Sequence, residues 1–394
     1  LSNIFSSGKL TLSRGGSDQY LLNGVKMLDA DNQPIKEAEF ESRVSNEVAR
    51  FINNNYSQIV FLAGAGASIT GQQDSQSIRG RSMRELTGII ADALDTDEKA
   101  FSISQMARYS KYKFIDATSE DFQLENFISA VQSAQPYIAI DKQSKYNKSV
   151  SVILETIIRN TSYDYDDRLL KHAQIINILS SRITPPNKLT IATTNYDTLF
   201  EEAAARIAYT VMDGFTADID PHFDPDVFEW NLVKDIPNLA TAELEYKKQV
   251  INLIKLHGSL TWQFDDEHIL RRLPRNLVNS PVMIFPSANK YMQSYTEPYF
   301  ELFSKFQELI NRPNTLLIAN GFSFGDTHIA EMVYHAVTHN SGLSLLVSDY
   351  SLEGHDARGW KLLEGLKDSG YSIVFLQAVL NKLPRYLEAE SNEY

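Results

Sequence analysis

Apolar positions fall into two rhythms along this chain. Four short runs are predominantly apolar, the first three of them rich in β-branched residues: Ile59-Val60-Phe61-Leu62-Ala63, Leu189-Thr190-Ile191-Ala192-Thr193-Thr194, Val250 to Leu256, and Leu343 to Asp349. Such runs, without polar alternation, predict strands buried on both faces of a parallel sheet. Elsewhere apolar residues recur at intervals of three and four. Phe40, Val44, Val48, Phe51 and Ile52 predict a helix over 36–54, just before the first strand. The same spacing runs through Phe122, Leu124, Phe127, Ile128 and Val131, then Val150, Val152, Ile153, Ile157 and Ile158, and predicts a helical insertion over about 72–186. Strands separated by helices define an α/β protein with a parallel sheet, helices on both faces and a helical insertion subdomain. Residues 1–35 read as a polar, turn-rich arm in which Arg14-Gly15-Gly16-Ser17 and Asp29 to Pro34 flank Tyr20-Leu21-Leu22. The arm is expected to dock on a neighbouring copy or on its own domain. The division is 1–56, an arm and helix serving oligomer contacts, and 57–394, one elaborated domain.

Polar residues gather where the predicted strands stop, which is where open α/β sheets bind ligands. After the first strand, Gly64 and Gly66 in Gly64-Ala65-Gly66-Ala67-Ser68 permit a tight turn and a close backbone approach to a pyrophosphate. A tight turn with no ligand also explains them. Ile69 stands where a dehydrogenase fingerprint needs a third glycine, and Glu85, near the place of the ribose-binding acid, lies in a helical segment. Hydride-transfer chemistry is therefore disfavoured. The second strand delivers Thr194-Asn195-Tyr196-Asp197. Asn195 is a neutral donor and acceptor suited to ribose hydroxyls or a water, while Asp197 either accepts from a hydroxyl or caps the helix that follows. The third strand ends in His257-Gly258-Ser259, and an imidazole with an unperturbed pKa of about 6.5 can take a proton at neutral pH.

In this order, Gly-Ala-Gly-Ala-Ser, Thr-Asn-Tyr-Asp and His-Gly-Ser resemble the nicotinamide-dinucleotide site of sirtuin-like domains. Asn320-Gly321-Phe322-Ser323-Phe324-Gly325-Asp326-Thr327-His328-Ile329 is similar to the phosphate and ribose loop of the bacterial members. The resemblance spans roughly residues 57 to 380 and implies a Rossmann-like sheet. It implies that Gly64, Ala65, Gly66 and Ser68 cradle phosphates, that Thr194, Asn195 and Asp197 engage the nicotinamide ribose, and that His257 is the base. Gly321 and Ser323 would close over the dinucleotide. Asp349, at the end of the fourth strand, is a partner for the adenosine ribose, although a helix cap accounts for it equally well.

Protein-deacylating sirtuins carry a four-cysteine zinc module after the His-Gly element, and this chain contains no cysteine. A zinc module of that kind cannot form. No groove strand for an acyl-lysine peptide is evident in the stretch from Trp262 to Arg275, so water becomes the expected acceptor. The resemblance then implies NAD+ as the substrate, with no other cofactor and no metal expected. The chain resembles the sirtuin-like NAD hydrolases of bacterial antiphage defence systems. In length, polar N-terminal arm and lack of a long C-terminal extension it is similar to the subunit that associates with a HerA-type ring ATPase. The resemblance implies cleavage of NAD+ to nicotinamide and ADP-ribose, a homo-oligomer, and control by that partner. A zinc-free protein deacylase and a non-catalytic sensor of NAD or ADP-ribose are the alternatives.

A net charge of −13 opposes binding to nucleic acid or an anionic membrane surface, since both need basic patches. Neither an apolar run long enough to span a bilayer nor a signal-peptide pattern is seen, and the absence of cysteine fits a reducing cytoplasm. Weaker candidates are read conservatively. Arg79, Arg81 and Arg84 form a basic cluster that reaches a phosphate or simply balances Glu85. Glu125 reads as a solvated helix residue, the carboxylates from Asp213 to Asp226 as a solvated loop, and His335 with His339 as helix surface. Asp326 reads as a helix cap, with a place beside the ligand, together with His328, as the alternative.

Overall fold

The computed structural model describes residues 1–16, 19–69, 80–81, 83–113, 122, 124–235, 244–283 and 297–388; the side chains of Met83 and Glu125 are also outside the described set. Its centre is an 11-stranded sheet. The parallel part contains β5 (Gln58–Ala63), β6 (Leu189–Thr193), β7 (Thr210–Met212), β10 (Val250–Lys255), β13 (Thr315–Asn320), β14 (Leu343–Asp349) and β15 (Ile373–Gln377). The short ribbon β8 (Val233–Asp235) with β9 (Leu244–Tyr246) and the hairpin β11 (Trp262–Phe264) with β12 (Leu270–Arg272) stand apart from it. Across the sheet the order runs β15-β14-β13-β5-β6-β10-β7. The parallel part begins at β5, adds β6 beside it, lays β7 at the outer edge and inserts β10 between β6 and β7, then returns to lay β13, β14 and β15 on the other side. This reversal makes β5 and β13 neighbours at a topological switch point, the strand order of Rossmann-type dinucleotide folds.

Helices cover both faces because successive strand residues point to opposite sides. From β5, Ile59, Phe61 and Ala63 enter one core, where they meet Phe40, Val44, Val48 and Ile52 of the helix Glu37–Ile52. Val60 and Leu62 enter the other, against Leu302, Phe306 and Ile310 of the helix Tyr299–Asn311 and Ile329, Val333 and Val337 of the helix Thr327–His339. A third core, built from Leu86, Ile90, Leu94, Met106, Phe127, Tyr146 and Ile153, lies within the helical insertion, with Met283 packed against it from outside. The helix His172–Ser181 lies within the span assigned to that insertion, yet its Ile175, Ile176 and Leu179 pack against the sheet.

Residues 1–35 contain more regular structure than a turn-rich arm. They form β1 (Ser2–Ser7), β2 (Leu10–Arg14), β3 (Tyr20–Leu22) and β4 (Val25–Lys26), an antiparallel meander whose β1 pairs with β15. The segment thus docks on its own domain, with Phe5, Leu12 and Tyr20 buried and Tyr20 stacked on Phe40 at 4.6 Å. Asn23 and Gly24, both at positive φ, supply the two-residue hairpin turn whose twist suits the flanking strands. Asp213 also departs from the solvated-loop reading, since it is buried against Arg272 Nη1 at 2.5 Å.

His172 is fully buried with its ring edge-on to Phe200 at 4.6 Å, and among the described residues neither ring nitrogen has a hydrogen-bond partner. Burial drives its pKa down to about 3. In the unfolded chain the same imidazole titrates near its ordinary value of about 6.5. The unfolded state therefore binds the extra proton between those values. The resulting stabilisation is complete above pH about 6.5 and is lost as pH falls toward 3, by at most about 1.4 kcal/mol per pH unit. His172→Phe should flatten this limb of the stability profile, read from urea midpoints at pH 7 and pH 4.5; an unchanged slope would show that His172 does not set it.

Candidate active site

One register row carries the site. Lys255 of β10 pairs with Thr193 of β6, Thr193 with Ala63 of β5, Ala63 with Asn320 of β13, and Asn320 with Ser348 of β14. Each strand then stops or leaves the sheet, so Gly64, Thr194, Asn195, His257, Gly321 and Asp349 all lie one or two residues beyond a single line. Two further bonds tie the adjacent loops together. Thr194 N–H donates to the Ala63 carbonyl at 3.1 Å, and Leu260 N–H donates to the Tyr196 carbonyl at 3.0 Å.

At the switch point the glycines press on one another. A Cβ at Gly64 would lie 2.6 Å from the Phe322 α-carbon, one at Gly66 would lie 2.7 Å from the Gly321 α-carbon, and one at Gly321, whose φ is +59°, would meet Ala67 N at 2.6 Å. All of these are backbone atoms that cannot swing away. Gly66 N–H donates to the Gly321 carbonyl at 3.0 Å and Gly64 N–H to the Asn320 carbonyl at 3.0 Å. The missing side chains therefore let two loops touch, a requirement separate from the approach of a phosphate. The amides of Ala67 and Ile69 donate to the carbonyls of Gly64 and Gly66. Ala65 is exposed at the outer side of this turn.

Asn195 is held by its amide nitrogen. Nδ2 donates to the Gly64 carbonyl at 2.9 Å and to Ser68 Oγ at 2.8 Å, while its backbone N–H donates to Thr193 Oγ1 at 3.0 Å. A carbonyl only accepts, so the amide orientation follows from the bonding. With both Nδ2 hydrogens engaged, Asn195 has its Oδ1, an acceptor, left to offer. Ser68 in turn donates to Asp197 Oδ2 at 2.6 Å, and Asp197 Oδ1 accepts from Leu199 N–H at 3.2 Å. Asp197 thus receives a bond in the first turn of the helix Leu199–Arg206 and anchors the serine that anchors Asn195.

Beneath this network lies Lys255, 1% exposed. Its Nζ donates to the Asp197 carbonyl and to Glu201 Oε1, the latter at 3.0 Å. Burial raises the pKa of Asp197 and of Glu201 above the usual carboxylate range, and the Lys255 charge opposes that rise in both. Nothing in the local sequence marks a strand lysine as the counter-ion of two carboxylates some 60 residues earlier, and it was not among the expected site residues.

The side chains of His257 and Asp326 are both buried, with Nε2 and Oδ2 3.0 Å apart. The other carboxylate oxygen accepts from the N–H groups of His328 at 3.1 Å and Ile329 at 3.3 Å, which makes Asp326 the N-cap of the helix Thr327–His339. The expected cap is present, and it has a second partner. Ser323 is exposed, with its Oγ accepting from Gly325 N–H at 3.3 Å, and it does not join the Asn195 cluster. Asp349 is 6% exposed at the end of β14, its Oδ1 bonded to Tyr350 N–H at 2.6 Å; burial raises its pKa. That bond is to the next residue and not to a helix start, so the cap account of Asp349 does not hold. Arg81 pairs loosely with Glu85 at 3.8 Å; Arg79 and the Glu125 side chain lie outside the described residues.

Residues 189–361 match a family model described as a SIR2-like domain. The matched span includes Asn195, Asp197, His257, the Gly321 loop and Asp349, and leaves the Gly64 turn outside. No curated protein matches the chain. Fold and site together define a Rossmann-like α/β protein in which residues 189–361 are similar to a SIR2-like domain, with the β11–β12 hairpin following His257 and no cysteine for a zinc module. Such a domain is consistent with chemistry on NAD.

Removing one member of a buried ion pair strands its partners, at a typical cost of about 3–5 kcal/mol. Lys255→Met should therefore lower stability by about 3 kcal/mol. Adding Glu201→Gln should recover part of that loss. Urea unfolding of the single and double variants checks this, and equal midpoints for wild type and Lys255→Met would show that the pair does not hold the site together.

Proposed function

We propose that this chain is an NAD+ hydrolase that cleaves the bond between nicotinamide and ribose, giving nicotinamide and ADP-ribose. The observation that carries the reading is the placement of Asn195 and His257 two residues past the same register row on the adjacent strands β6 and β10, beside the switch point. Asn195 presents an acceptor oxygen, suited to a ribose hydroxyl or a water. His257 supplies a base.

The chemistry asks little more. Nicotinamide leaves as a neutral molecule from a cationic ring, so no strong general acid is needed, and the sugar passes through an oxocarbenium-like state of the kind met in glycoside hydrolysis. Asn195 Oδ1 orients the water or hydroxyl beside the developing charge, and His257 takes the proton released as the new C–O bond forms. The backbone at Gly64 to Ser68 and the loop at Gly321 and Ser323 flank the crevice where the two phosphates would lie, with Asp349 toward the adenosine ribose and Thr194 and Asp197 toward the nicotinamide ribose. Water as acceptor is supported by the short hairpin in place of a zinc module. The net charge of −13 supports a partner other than nucleic acid or membrane. Among the described residues no helix is long and apolar enough to cross a membrane.

We extend this reading to NAD+ depletion in antiphage defence by a homo-oligomer under the control of a HerA-type ring ATPase. Its support is the resemblance of the motif set, and light scattering of the chain with and without that ATPase tests the assembly. For the chemistry, Asn195→Ala and His257→Ala should each reduce nicotinamide release by about 10²–10⁴-fold, with the unfolding midpoint near that of wild type for His257→Ala. Nicotinamide and NAD+ are followed over time, with the chain alone and with the ATPase. Full activity in either variant would defeat the assignment, and saturable NAD+ binding without turnover in both settings would make the protein a sensor.

A further inference from the structure

The contact between His257 and Asp326 joins residues 69 positions apart in the sequence, on two different loops of the switch-point crevice. Three features show that the carboxylate is set in place by the fold. Its Oδ1 is taken by two backbone N–H groups at the start of a 13-residue helix, which fixes the plane of the carboxylate and puts the favourable end of the helix dipole beside its charge. Its Oδ2 faces Nε2 of His257 at 3.0 Å, and both side chains are less than a tenth exposed. Two residues earlier, Phe324 is held at φ +56° while 1% exposed, with its ring against Phe322 at 5.0 Å and Trp360 at 6.0 Å. A bulky residue at positive φ costs on the order of 1–3 kcal/mol and persists only where surrounding packing imposes it. That turn aims Asp326 at the imidazole.

We propose that Asp326 is the positioning residue of His257, fixing the ring's orientation and placing its hydrogen on Nε2, while it caps the helix with its other oxygen. The inference rests on the hydrolase reading only for its kinetic consequence. A carboxylate accepts and does not donate, so the neutral imidazole beside it carries its hydrogen on Nε2 and its lone pair on Nδ1. When the ring takes a proton, the charge formed is balanced at once by Asp326, as in other base–carboxylate pairs. The same loop carries Gly321 and Ser323, so whatever seats this loop also seats the base.

Asp326→Asn separates the two roles, because asparagine caps helices as well as aspartate does but carries no charge and has only one acceptor oxygen. If that oxygen keeps the cap, the amide turns N–H groups toward Nε2. The expected result is a thermal midpoint near that of wild type, a KM for NAD+ changed less than threefold, and a kcat lower by roughly 10²–10⁴-fold. Asp326→Ala should lose both the cap and the rate. A long-range proton–nitrogen spectrum of histidine-labelled protein, with His257→Gln identifying the resonance, should show the Nε2–H form in wild type and its loss in Asp326→Asn. Wild-type kcat in Asp326→Asn, or a wild-type His257 with its hydrogen on Nδ1, would overturn the proposal. If the wild-type protein does not consume NAD+, the hydrolase reading fails by itself and the spectrum still decides Asp326.

Discussion

Backbone touches backbone at the switch point, and the rest of the site hangs from that contact. Gly64 and Gly66 lie against Gly321 and Phe322 at distances that leave no volume for a Cβ on any of the three glycines. Two consequences follow from so close an approach. The Gly64 carbonyl is carried to where Asn195 Nδ2 can reach it, and the loop after β13 is held low enough for Asp326 to meet His257. Neither side chain is fixed mainly by its own segment. Each is aimed by a loop from another strand, so the site exists only when the sheet order is complete.

Polar groups at this edge are paired in chains. Lys255 supports the Asp197 carbonyl, Asp197 accepts from Ser68, Ser68 accepts from Asn195, and Asn195 also donates to Gly64. Buried networks of this sort seldom add net stability over apolar packing of the same volume, whereas a break in one is expensive. Their effect here is orientation. An amide free to flip would present a donor or an acceptor, and the network leaves Asn195 presenting an acceptor. The imidazole of His257 is constrained in a comparable way by a carboxylate that the helix holds still.

The parallel strands were legible because burial on both faces favours runs dominated by apolar and β-branched residues, as in Ile59 to Ala63 and Val250 to Leu256. The ends of those runs located the Asn195 cluster and His257 for the same reason. Docking of residues 1–35 on their own domain was one of the two expectations, but their strands were missed, because strands half covered on a sheet edge keep polar residues on their open side and the abundant turn residues outweighed Phe5, Leu12 and Tyr20. Asn23-Gly24, a strong hairpin signal, was present in that segment. The glycines were seen correctly as positions that exclude a side chain, but composition cannot say whether a ligand or another loop takes the space. Lys255 and the second role of Asp326 were illegible in principle, since their partners are remote in sequence and a cap or a buried strand residue looks locally complete.

The separation of cores explains how so long an insertion is tolerated between β5 and β6. Its apolar residues, from Leu86 to Ile157, form their own cluster, while the sheet's two faces are filled by helices that flank the strands directly. The insertion can therefore vary without altering the register row from Lys255 to Ser348. The Gly64 turn, however, stands on the far side of that insertion from the residues that match the SIR2-like model, which begin at Leu189. The pairing of β5 between β6 and β13 returns it to them. Changes that weaken this pairing should thus disable the site before they unfold the insertion, because the glycine contact and the Asn195 anchor depend on β5 and the insertion core does not.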